Sequence, residues 1–145
     1  MRRLALICLL CINCLTAVWA DTASALTQGV LPTTEGQRRE YSAYIEMSRA
    51  YVSGICVLLM DEGVIKGALF NEFGVTALEF TFYPERRKVK LHNVMKLMDK
   101  WYIRRVLRKD LAQLMVLMEQ GETTYKNERR HITYQLTPMK DEVTQ

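Results

Sequence analysis

Between Tyr41 and His92 the apolar runs are short, mostly alternating, and separated by turns of a few residues, which constrains the fold more than any other feature of the chain. Tyr41, Ala43, Ile45 and Met47 alternate with Ser42, Tyr44, Glu46 and Ser48, and Tyr51 to Met60 is rich in large and β-branched apolar residues. Asp61-Glu62-Gly63 is a turn signal before Val64 to Phe70, and Asn71-Glu72-Phe73-Gly74 is a second before Val75 to Tyr83. Pro84-Glu85-Arg86-Arg87 then leads into a fifth strand with Val89 and Leu91 inward and Lys88, Lys90 and His92 outward. Parallel strands need crossovers of a dozen or more residues, so these connections predict hairpins in an antiparallel meander.

The pattern then changes period. Val94, Leu97, Met98 and Trp101 form one helical stripe, and Ile103, Leu107, Leu111, Leu114 and Met118 form another about half a turn away. One straight helix cannot bury both, so the reading is a two-part helix that starts at an Asn93 cap and breaks near residues 99–102. Asp99 would cap the second part and Gly121 would end it in a left-handed conformation. Thr123 to Tyr125 and His131 to Leu136 read as a closing hairpin. The expected fold class is α+β: a curved antiparallel β-sheet, an incomplete barrel of about six or seven strands, packed by the two-part helix. A chain of 145 residues, 49% hydrophobic and 25% charged, suits one such domain. Its boundaries are expected at 41–138, after a signal peptide at 1–20 and a flexible leader at 21–40, with a polar tail at 139–145.

The signal-peptide reading rests on Met1-Arg2-Arg3, the apolar run Leu4 to Leu15 and the small residue Ala20. A retained signal anchor is the alternative. Cleavage would remove Arg2 and Arg3 and take the net charge from +4 to +2, too little overall to demand a polyanionic partner. Cys8, Cys11 and Cys14 fall in this apolar segment, which supplies neither the polar surroundings nor the fourth ligand of a metal or iron–sulfur site. Leu10 and Asn13 precede Cys11 and Cys14 where lipidation needs a small residue. Cys56 is then the one cysteine of the mature chain, expected as a buried apolar side chain. Export places the protein in the periplasm or at the periplasmic face of the outer membrane.

No catalytic or metal-binding motif is visible, and the expectation is a protein that is not an enzyme, with no cofactor. His92 and His131 stand on separate hairpins without a nucleophile or an orienting partner, and read as surface histidines. Glu72 and Glu79 read as turn and strand-face carboxylates. Two features exceed background. From Glu85 to Asp110 there are ten Lys or Arg residues against three acids, with Trp101 and Tyr102 among them. This is either a solvated face or a contact for anionic headgroups; nucleic acid fits export poorly. The other is a surplus of flexible apolar residues, Met47, Met60, Met95, Met98, Met115, Met118 and Met139 with Phe70, Phe73, Phe80 and Phe82, which either fill a core or line a cavity.

Tyr41 to Leu114, with S-G-I-C-V-L-L-M, then K-G-A-L-F-N-E-F-G-V-T-A-L-E-F, then a basic helix carrying R-V-L-R-K-D-L, resembles the LolA/LolB-like lipoprotein-carrier superfamily, in particular small exported members from Bacteroides-type bacteria. The resemblance implies an incomplete antiparallel barrel closed by helices around a hydrophobic cavity that receives lipid-modified proteins. On that reading the protein is a non-enzymatic lipid or lipoprotein carrier or acceptor. Ile55, Val57, Leu59, Leu69, Leu78, Phe80 and Phe82 would line the cavity, and Trp101, Arg104, Arg105 and Arg108 would meet headgroups. Its partners would be acyl chains and the outer-membrane surface, and affinity would rise by about 0.8 kcal/mol per buried methylene. The alternative is a structural or protein-interaction module of the envelope with a filled core.

Overall fold

The computed structural model describes residues 30–139. The expected signal peptide, residues 21–29 of the leader and residues 140–145 of the tail lie outside the described residues. The chain order is β1 (Arg38–Met47), β2 (Ala50–Asp61), β3 (Val64–Asn71), β4 (Thr76–Tyr83), β5 (Lys88–Val94), α1 (Trp101–Glu119), β6 (Thr124–Asn127) and β7 (Ile132–Pro138). All seven strands belong to one curled antiparallel sheet, an incomplete barrel, ordered β5-β4-β3-β2-β1-β7-β6. The expected meander is β1 to β5, and the closing hairpin adds to it through β7 on β1.

Local chemistry sets each connection. Glu62 and Gly63, at φ 52° and 74°, form the two-residue turn whose twist matches flanking strands. The Asn71 side-chain Oδ1 accepts the backbone N–H of Phe73 at 3.0 Å and of Val75 at 2.9 Å, holding the next turn. Pro84 to Arg86 make a single 3-10 turn that Arg87 ends at φ 49°.

Alternation decides what is buried. Tyr41, Ala43 and Ile45 of β1, Cys56 and Leu58 of β2, Ile65 and Leu69 of β3, and Leu78, Phe80 and Phe82 of β4 line the inner face. They meet Leu107, Leu111, Leu114, Met115 and Met118 of α1, with Tyr134 and Leu136 of β7. Phe80 is paired with Gly67, and a Cβ there would stand 2.3 Å from its ring, so the missing side chain is what admits the aromatic. The Cys56 thiol is fully buried, and loss of solvation pushes its pKa up to about 12, so it is an inert apolar filler.

Three expectations need correction. The helix is one piece: β5 runs through Asn93 to Val94, residues 95–98 turn, and α1 begins after Lys100, so Asn93 and Asp99 are not caps. Val94 and Met98 are buried from a strand end and a turn, whereas Leu97 and Trp101 of the same apparent stripe are 78% and 76% exposed. The domain also starts before Tyr41, because Leu31 and Pro32 are buried and β1 opens at Arg38. Finally, His131 lies in the β6–β7 turn at φ 53° and not on a strand. The expected stop is present: Gly121 has φ 93°, its N–H reaches the Met118 carbonyl, and the Glu122 N–H reaches that of Leu117.

Candidate functional site

The strand order leaves β5 and β6 as the two ends of the sheet, and α1 packs against both. Between them remains an open cleft of about 1370 Å³. Val89 and Leu91 of β5, Ala112 of α1 and Tyr125 of β6 give it apolar wall, and Arg86, Arg87, Lys88, Lys90, Arg104, Arg108 and Lys109 give it charge. A second lobe of about 330 Å³ adjoins it, lined by Tyr102, Arg105, Val106, Arg129 and Arg130. Trp101, Lys109, Asp110 and Asn127 line both lobes. A concave surface carrying one sign of charge concentrates the field and attracts anions.

One carboxylate stands in this wall. Asp110 is 3% exposed; it accepts from Asn127 Nδ2 at 2.9 and 3.0 Å and from the Tyr134 hydroxyl at 2.9 Å. These bonds tie the middle of α1 to the β6–β7 hairpin. Burial raises the Asp110 pKa above the usual carboxylate range, and the bonds from Tyr134 and Asn127 and the nearby Arg130 charge oppose that rise. Burial first, and then the Asp110 charge, push the Tyr134 hydroxyl well above its ordinary value. Asp110 falls on the apolar stripe between Leu107 and Leu111, the one position there where a charge breaks the pattern, and that was its signal in the sequence. Tyr125, Asn127, Arg129 and Arg130 gave no such signal, because nothing local in a hairpin says which helix face it will meet.

The expected headgroup residues do come together. Trp101, Arg104 and Arg108 line the large lobe, and Trp101 and Arg105 the small one. Arg104 also pairs with Asp99 at 2.6 Å. The expected cavity set divides. Leu69, Leu78, Phe80 and Phe82 are buried on the inner face, but Ile55 is 42% exposed and Val57 and Leu59 are half-buried on the outer face, because Cys56 and Leu58 take the inward positions of β2. Ile55 and Val57 border a shallow outer groove of about 710 Å³ instead. The inner residues Leu69, Leu78 and Phe80 surround a void of only about 20 Å³, room for about one water-sized sphere. Met98, Met115 and Met118 are part of the filling.

His92 is exposed beside a bulge of β5, its Nε2 2.7 Å from the Thr81 hydroxyl. Among the described residues no group of three His, Cys, Asp or Glu side chains is placed to hold a metal ion, and no helix is long and apolar enough to cross a membrane. Compared with protein-family models, with curated proteins and with solved structures, the chain matches none.

Proposed function

We propose that this is a non-enzymatic binding protein of the cell envelope that takes anionic amphiphiles, a lipid or the lipid part of a lipoprotein, in the cleft between β5, α1 and β6. The observation that carries the reading is the composition of that cleft, apolar wall beside a surplus of cations, with Trp101 exposed at the boundary between its lobes. An anionic headgroup gains charge-assisted hydrogen bonds from the guanidinium groups, and the adjoining hydrocarbon covers Val89, Leu91 and Ala112. Placing the ligand at the open seam leaves the filled interior undisturbed. The resemblance to the LolA/LolB-like carriers belongs with this proposal, as does a site of action at the outer membrane.

A second reading is an envelope interaction module with no lipid ligand, and the observation in its favour is the packed interior. Displacement of a fluorescent fatty acid by lysophosphatidylglycerols of increasing chain length separates the two. The amphiphile reading expects stoichiometric binding, affinity that rises with chain length by up to about 0.8 kcal/mol per methylene, and weakening with salt. Trp101→Ala and Arg108→Gln, both at exposed positions, should weaken it without loss of fold. Absence of displacement at any chain length would leave the interaction module standing.

A further inference from the structure

Resting on that reading, we infer that the ligand carries two separate phosphate groups, one for each lobe of the cleft. The two lobes share a wall at Trp101, Lys109, Asp110 and Asn127, but each has its own cations. Arg86 and Arg87 of the 3-10 turn and Lys88, the first residue of β5, belong to the large lobe; Arg105 of α1 and Arg129 and Arg130 of the β6–β7 turn belong to the small one. Among the described residues none of these six has a carboxylate within 4.0 Å, whereas Arg38, Lys66, Arg104 and Lys126 do. Asp110, the one acid that lines the lobes among the described residues, accepts hydrogen bonds from Asn127 and Tyr134 and interacts at longer range with the Arg130 charge alone of the six.

A ligand with a single negative charge would satisfy one lobe and leave the other cluster with no more than the buried Asp110 carboxylate beside it. Two phosphates on one scaffold engage both clusters, and the second contact is intramolecular once the first is made. The cations come from three separate parts of the fold: the 3-10 turn with the first residue of β5, α1, and the β6–β7 turn.

The test compares binding of the full chain to phosphatidylcholine vesicles containing either cardiolipin, with two phosphates per lipid, or phosphatidylglycerol, with one, mixed to equal phosphate charge. The inference expects cardiolipin vesicles to bind roughly tenfold or more tightly. It expects that preference to vanish in Arg86→Gln/Arg87→Gln and in Arg129→Gln/Arg130→Gln, all exposed positions whose circular dichroism should stay that of the parent. Competition by fructose 1,6-bisphosphate but not glucose 6-phosphate would assign the preference to the phosphate pair itself; preference without competition would assign it to the lipid. Equal affinity for the two vesicles, or a cardiolipin preference that survives the small-lobe change, overturns the inference and leaves the amphiphile reading in place. Failure to bind either vesicle overturns both, and so does tighter binding to duplex DNA than to any vesicle.

Discussion

At Gly67 a single missing methyl group allows the Phe80 ring to lie across the neighbouring strand. Gly67→Ala should destabilise the domain by about 1–3 kcal/mol through overpacking, read by urea denaturation, and Phe80→Leu in the same chain should recover part of the loss. A cost indistinguishable from zero would mean the ring has other room. Asp110 sets a different expectation. Its pKa is raised in the folded chain, chiefly by burial, so between the unfolded and folded values the native state holds a proton that the unfolded chain has lost. Stability from this group is therefore greatest at low pH and declines as pH rises through the folded pKa. Measured against Asp110→Asn, the wild type should gain stability as pH is lowered from neutrality towards about 4, and a flat difference would contradict the assignment. The inward set of β4 was legible in the sequence because alternation marks faces. The place of Gly67 was not, since a glycine in a strand pattern does not say which ring will cover it.

The turns and the helix end show how far local signals reach at the level of elements. Asp61-Glu62-Gly63 announced a turn, but the left-handed conformation it requires falls on Glu62 as well as Gly63. A side chain there carries a steric cost that asparagine lowers, so Glu62→Asn should raise stability by roughly 0.5–1 kcal/mol, measured by thermal or urea unfolding; a loss of stability would show that the Glu62 side chain is needed. Gly121 was legible as the helix stop for the same kind of reason. The start of α1 was not. Val94 and Met98 are four apart and both buried, as a helix face would have them, yet one closes β5 against Leu78 and the other sits in the following turn. Spacing reports burial, and two different backbones satisfy it here. The bulge that places His92 beside the Glu79–Phe80 step also lets β5 continue past the point where a helix was expected.

For the whole molecule, hairpin order could be read locally but closure could not. Short turns specify which strands are neighbours; they do not say that β7 pairs with β1, that β5 and β6 remain apart, or that α1 spans the gap. Those outcomes depend on how much apolar surface the helix covers once the sheet has curled, and here α1 fills the interior almost completely. The expected lining residues of β2 fall on the wrong face for the same alternation that makes Cys56 and Leu58 core. What the curl leaves over is the seam, where the cations of residues 86–90, those of α1 and those of the β6–β7 turn converge on one cleft. The most direct measurement of this account is hydrogen–deuterium exchange of the full chain with and without a saturating lysophosphatidylglycerol. The account expects slowed exchange at residues 86–91, 101–113 and 125–130, with no change in the central strands. Altered exchange confined to the inner strands around Cys56, Leu69 and Leu78 would contradict it, by placing the hydrocarbon beneath the helix.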